Sequence, residues 1–204
     1  QMVFLAPHTK FVYRGKNTTI PVGHAFPYHC TQEVYDEIGR QMQAAVSATG
    51  ADQCSVNADV FVDGNKVSII EMGGRTGATC IPELISIYYG FDFYEKMLRS
   101  ALGEQVEFNC TGSQPCMAKL LLSPVEGKIT SIDKEGIRAL EEQGVTVSLD
   151  FPAGHKVFAM ADGTDRIGHI IACTEDESQL DAWMMQVYRC ICVDGVTLED
   201  IWKR

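Results

Sequence analysis

The chain has 204 residues, 46% of them hydrophobic and 22% charged, and 17 Lys and Arg against 27 Asp and Glu leave a net charge of −10. A chain of this length can bury roughly 70% of the surface its unfolded form exposes, enough for one solid domain or two small lobes without covalent staples. The acidic balance and scattered basic residues argue against nucleic acid or an anionic membrane as partner, and the apolar runs fall far short of the ~20 residues a membrane span requires.

The N-terminal Gln1-Met2-Val3-Phe4-Leu5-Ala6 lacks the charged start and cleavage site of a secretory signal, and reads as cut rather than targeted. Phe4 to Val22 read as one or two strands turned at Arg14-Gly15-Lys16-Asn17, whose edges are expected to extend the sheet that follows. Pro21-Val22-Gly23-His24-Ala25-Phe26-Pro27 reads as a constrained loop, in which a buried structural histidine is the bland reading of His24. Thr31 to Thr49 predict a helix. Thr31 is the N-cap, Val34, Ile38, Met42, Ala45 and Val46 make the apolar stripe, and Gly50 stops it. This helix should cover one face of the next sheet.

Val60 to Val62 and Val67 to Ile70 are short apolar runs flanking Asp63-Gly64-Asn65, strong turn chemistry for an antiparallel hairpin. Helices are predicted at Ile81–Tyr89 and Phe93–Leu102, stopped by Gly90 and Gly103. Turn formers between Cys110 and Pro115 then interrupt the periodicity, giving two units, residues 1–109 and 116–204. In the second unit Ala118–Leu122, Val145–Leu149 and His169–Cys173 read as strands and Lys134–Gln143 and Asp176–Tyr188 as helices. The class is α+β in both lobes.

The chemistry concentrates between Asp59 and Thr79. A turn centred near Gly64 brings Asp59 and Glu71 together at the open end of the hairpin. Two carboxylates sharing one place are costly unless neutralised, and a hard divalent cation with substrate phosphates neutralises them. Arg75 follows in a glycine-rich segment, Gly73-Gly74-Arg75-Thr76-Gly77, and its planar guanidinium suits a phosphate or carboxylate. The bland alternatives are a solvated strand end for Glu71, a helix-capping role for Arg75 and tight turns for the glycines. Thr76, Gly77 and Thr79 are candidate substrate contacts from the same loop, and Arg166, in Asp165-Arg166-Ile167-Gly168, is a candidate from the second lobe with a surface salt bridge as its alternative.

The spacing of an acid, then Glu-x-Gly-x-Arg twelve residues on, a glycine-rich loop and Ile81-Pro82-Glu83-Leu84 resembles the ATP-grasp superfamily, in the variant of amino-acid ligases, biotin carboxylase and the large subunit of carbamoyl-phosphate synthase. The resemblance continues through Tyr89-Gly90-Phe91-Asp92-Phe93-Tyr94. It implies the antiparallel second lobe of an ATP-grasp domain followed by a smaller α+β lobe. It also implies ATP and magnesium (with manganese as an alternative) on Asp59 and Glu71, with Arg75 on the transferred phosphoryl group and His24, Gly77, Thr79 and Arg166 near the substrates. Many members carry Asn two residues after the metal-binding Glu, where this chain has Gly73. Nothing here matches the first lobe, with its phosphate-binding lysines, so the chain is expected to be the C-terminal part of a longer ligase and to be inactive alone.

The implied reaction joins a small-molecule carboxylate to an amine through an acyl phosphate. Bicarbonate chemistry is the alternative within the superfamily, and a non-catalytic binding or dimerisation module the alternative outside it. Eight cysteines without a Cys-x-x-Cys pair read as reduced, buried thiols in a cytoplasmic protein, and no His/Cys group has zinc spacing. A homodimer is compatible with all of this.

Overall fold

The structure is a computed structural model and describes residues 2–14 and 19–204. In chain order the elements are β1 (Thr9–Arg14), β2 (Thr19–Phe26), α1 (Gln32–Thr49), β3 (Asn57–Asp63), β4 (Lys66–Gly73), α2 (Ile81–Tyr89), α3 (Phe93–Ala101), β5 (Cys116–Leu122), β6 (Gly127–Ile132), α4 (Lys134–Glu141), β7 (Val145–Leu149), β8 (Lys156–Val157), β9 (Arg166–Ala172), α5 (Glu177–Arg189), β10 (Ile191–Val193), β11 (Val196–Thr197) and α6 (Leu198–Trp202). They fall into two compact units. One comprises Gln1–Thr9 and Phe26–Gln114, the other Lys10–Ala25 and Pro115–Arg204.

In the first unit α1 lies on the β3–β4 hairpin, as its stripe predicts. Val34, Ile38 and Met42, spaced four apart, are buried against Val67, with Ala58, Val60, Val62, Ile69 and Met72 around them. Each fully buried side chain of this size contributes about 2 kcal/mol. The helix starts where Thr31 accepts the Val34 N–H and ends at Gly50, whose φ of 69° is the left-handed turn that favours glycine. Polar ties reinforce the packing: Gln41 donates to the Val67 carbonyl at 2.7 Å, and Asn65 in the hairpin turn donates to Glu33 at 2.8 Å. Asp92 caps α3 by accepting from Glu95, and Phe4, Tyr89, Phe91 and Phe108 form an aromatic satellite core.

The second unit is built on a five-stranded sheet in the order β1-β2-β5-β9-β7 and a four-stranded sheet in the order β11-β10-β6-β8. Every residue of β5 is buried, so this strand reads as a continuous apolar run rather than an alternation. Its core joins Leu121, Ile167, Ile170, Leu180, Val187 and Leu198. Tyr188 accepts the Leu122 N–H at 3.0 Å and Trp202 donates to the Leu122 carbonyl at 3.3 Å, fixing the end of β5 beneath α5 and α6.

Three expectations change. First, β1 and β2 do not extend the hairpin. They pair into the second unit's sheet, while β3 and β4 form a two-stranded sheet of their own, so residues 1–109 are not one unit. The reason is the buried β5, which needs a hydrogen-bonding partner on each edge. Gly23 permits the approach, since a Cβ there would run into the Ala118 carbonyl. The expected turn, apart from Arg14, lies outside the described residues.

Second, β6, β8, β10, β11 and α6 have no counterpart in the sequence reading, although Asp194-Gly195, both at positive φ, is a strong hairpin signal between β10 and β11. Third, all eight cysteines are free thiols, yet only Cys80 and Cys116 are buried, while Cys30, Cys54, Cys110 and Cys173 are exposed. Among the described residues no helix is long and apolar enough to cross a membrane.

Candidate functional site at the open end of the hairpin

Strand alternation sends Ala58, Val60 and Val62 of β3 toward α1 and leaves Asn57, Asp59 and Phe61 on the opposite face. On β4 the same alternation starts with Val67 and Ile69 inward, which would carry Glu71 inward as well. It does not, because the register shifts. Val60 pairs with Ile69, but Asp59 pairs with Glu71, so Ile70 is one residue too many. This β-bulge leaves Ile70 68% exposed, returns Met72 to the α1 core and places Glu71 on the outer face directly opposite Asp59. An unbulged hairpin would oppose Asp59 to Ile70.

Next to this pair, Asn57 faces Gly73 across the strands. The chain then turns sharply, the Arg75 N–H donating to the Gly73 carbonyl at 2.9 Å, and the Arg75 stem lies beside Gly73. The guanidinium donates to the Thr76 carbonyl at 2.8 Å and stays exposed. None of Gly73, Gly74 and Gly77 occupies the left-handed region, so a left-handed backbone does not account for them. Gly77 has another reason: a Cβ there would lie 2.8 Å from Asn57 Oδ1, 3.1 Å from Ile81 Cβ and closer still to Ile81 Cδ1. A Cβ on Gly74 would meet nothing within 4 Å, so the loop is open there.

The loop ends in two consecutive non-glycine residues at positive φ, Thr79 at 57° and Cys80 at 64°. For a β-branched residue this is a genuine outlier, costing about 1–3 kcal/mol, and such strain concentrates at functional sites. Cys80 is the N-cap of α2 and makes no side-chain cap. In the first turn Glu83 Oε1 accepts from the Tyr94 hydroxyl at 2.6 Å. Burial, and then this hydrogen bond, push the Tyr94 phenol up to about 12.

The structure therefore brings Asp59, Glu71, Arg75, Gly77 and Thr79 onto one hairpin end and the loop leaving it. His24 and Arg166 lie in the second unit. His24 is buried on β2, and Arg166 Nε donates to Asp150 at 2.7 Å, an ion pair with Asp150 instead of its neighbour Asp165. Asn57, two residues before Asp59 on the same strand face, was not singled out in the sequence reading, because nothing in its local sequence shows that Gly73 and Gly77 fold against it. Among the described residues no three His, Cys, Asp or Glu side chains converge on one point. Asp59 and Glu71 are the carboxylates that could hold a divalent cation together with substrate phosphates.

No family model matches the chain. Uncharacterized protein y4rH of Sinorhizobium fredii (strain NBRC 101917 / NGR234) is 26% identical over 168 residues, covering 81% of this chain and 35% of that protein. Among solved structures, a phosphoribosylglycinamide synthetase from Anaerococcus prevotii superposes with a TM-score of 0.79 at 22% identity, over 94% of this chain and 49% of the other. An L-amino acid ligase from Bacillus licheniformis gives 0.68 at 17% identity, over 85% and 45%. The biotin carboxylase–β,γ-ATP complex from Campylobacter jejuni gives 0.63 at 17% identity, over 88% and 41%. The chain thus spans about half the length of these structures at most, and about a third of y4rH. At such identities the likeness is one of fold, and over the part it shares with these enzymes the chain has the ATP-grasp fold.

Proposed function

We propose that this chain supplies the metal- and phosphate-holding lobe of an ATP-dependent ligase that joins a carboxylate to an amine. The observation that carries the reading is the bulge at Ile70, which sets Glu71 opposite Asp59 on the outer face instead of burying it. Packing Met72 beneath α1 accounts for the extra residue, but it does not call for an acid at position 71 opposite Asp59. The likeness in fold to an L-amino acid ligase and a phosphoribosylglycinamide synthetase supports the ligase class.

In this reading Asp59 and Glu71 hold magnesium by their carboxylate oxygens. When bound, the ion neutralises phosphate charge and acts as a Lewis acid on the transferred group. Arg75, on a loop kept close to the strands by Gly77, swings from the Thr76 carbonyl to the phosphoryl group and stabilises the charge that develops on it. The strained Thr79–Cys80 step ends the loop at the start of α2. ATP gives its terminal phosphoryl group to the substrate carboxylate, leaving ADP. The amine then attacks the acyl carbon, phosphate departs and the amine proton is released.

The test is magnesium-dependent ADP release by the full-length protein against a panel of amino acids and bicarbonate, with Glu71→Gln as control. Stimulation by amino acids that the variant abolishes supports the reading. Stimulation by bicarbonate alone moves the assignment to carboxylase chemistry. A variant indistinguishable from wild type refutes the role of Glu71.

A further inference from the structure

The hairpin face carries two polar rows. Asp59 and Glu71 make the first, and in the second Asn57 faces a residue without a side chain, Gly73, over which the stem of Arg75 lies. Asn57 therefore stands between the carboxylate pair and the arginine. Its Oδ1 is turned to the glycine loop, 2.8 Å from where a Cβ on Gly77 would sit. That leaves the Nδ2 end, with two N–H donors, as the free hydrogen-bonding end of the amide. Among the described residues none exchanges a hydrogen bond with this amide, although it is half-buried.

An amide so placed differs in kind from its neighbours. Carboxylates only accept and a guanidinium only donates, whereas Asn57 can accept from or brace the loop at one end and donate at the other. We propose that Asn57 is a further binding residue of this site, its Nδ2 donating to an oxygen of the phosphoryl group held between the carboxylate-bound cation and Arg75. The proposal rests on the reading that the hairpin end binds a metal and phosphates. It assigns Asn57 the anion, not the cation. Gly73 has a matching role, since a side chain there would meet the stem of Arg75, whose Cγ lies 3.8 Å from where its Cβ would sit.

The experiment measures two affinities of the protein separately: Mn²⁺ alone, by the electron paramagnetic resonance signal of the free ion, and inorganic tripolyphosphate added to the Mn²⁺-loaded protein, by calorimetry. In N57D a donor becomes an acceptor beside the carboxylate pair, at nearly the same shape. Mn²⁺ is expected to bind several-fold tighter and tripolyphosphate at least tenfold weaker, opposite signs that loss of packing does not produce. In N57A tripolyphosphate affinity is expected to fall about tenfold, the usual consequence of losing a hydrogen bond to a charged group, with a smaller change for Mn²⁺.

If N57D and N57A bind tripolyphosphate as wild type does while E71Q loses Mn²⁺, the proposal is overturned and the metal reading stands. Parallel losses of both affinities together with a lower melting temperature also overturn it, because Asn57 then only supports the loop. If wild type and E71Q bind Mn²⁺ equally, or neither binds it, the metal reading fails and the Asn57 assignment with it.

Discussion

Replacing Gly77 by alanine tests the local geometry on which the site depends. The added methyl would lie 2.8 Å from Asn57 Oδ1 and 3.1 Å from Ile81 Cβ, and closer than either to Ile81 Cδ1. Oδ1 and Cδ1 are the ends of side chains and can rotate, but Ile81 Cβ is fixed to the first turn of α2, so the loop or the helix must shift. Overpacking of this kind costs about 1–3 kcal/mol, and the clash with a near-backbone atom argues for the middle of that range. Ile81 is 6% exposed, and shortening it to valine removes Cδ1 at a cost of about 1 kcal/mol. The double substitution G77A/I81V should then be less destabilising than the sum of its parts, with a coupling of about 1 kcal/mol, within the range for residues in contact.

Both tryptophans, Trp183 and Trp202, belong to the second unit, so their fluorescence does not report on this loop. Urea denaturation read by hydrogen exchange of the β4 and α2 amides does. Additive effects of the two substitutions, or a G77A protein as stable as wild type, would refute the packing of the loop against Ile81 and with it the placement of Arg75.

Two further predictions concern the second unit. Lys119 is 8% exposed, donates to Glu177 at 2.7 Å and Asp181 at 2.5 Å, and lies over the Phe11 ring. The two carboxylates are about half exposed and can return to water, whereas the ammonium cannot. E177Q/D181N should therefore cost about 3 kcal/mol by stranding a buried charge, and K119M no more than about 1 kcal/mol; the opposite order in urea denaturation would show that the lysine is hydrated. Glu199 is gripped at both oxygens by Arg189, at 2.7 and 2.9 Å, and by Lys203 at 2.8 Å. The Arg189 hydrogen bonds first, then Lys203, hold its carboxyl down to about 2. A depressed carboxylate stabilises the fold fully above its unfolded pKa, here 4.5, and loses that contribution as pH falls through about 2. The melting temperature of E199Q should consequently decline less steeply across that interval than wild type. Part of the slope should persist, because Glu37, held by Arg40 and Gln41, titrates in the same range. An unchanged slope would mean that Glu199 is not paired in solution.

The residues that carry the chemistry were legible because local physics places them. Asp63-Gly64-Asn65 can do little but turn, the runs on either side must pair, and the acids beyond them then meet. The periodicity of Val34, Ile38 and Met42 likewise specified α1, its buried face and its stop at Gly50. Thr31, Asp92 and the glycines after α1 and α2 mark helix ends because a cap or a left-handed residue is needed there whatever the rest of the fold does. The α+β class followed from the alternation of such segments.

Sequence alone thus determined the hairpin, most of the longer helices and strands, and the meeting of Asp59 with Glu71 to within one residue of register. Only the tertiary structure decided the rest, because each remaining feature depends on partners distant along the chain. The partner of β2 is β5, far away in sequence, and its choice depends on a buried edge that needed covering. The bulge at Ile70 exists because Met72 packs beneath α1 while Asp59 keeps the outer face, a compromise that no alternation pattern within β4 expresses. Asn57 gained significance only once Gly73 and Gly77 were folded against it, since hydrogen-bonding capacity is written in a residue's name but its surroundings are not.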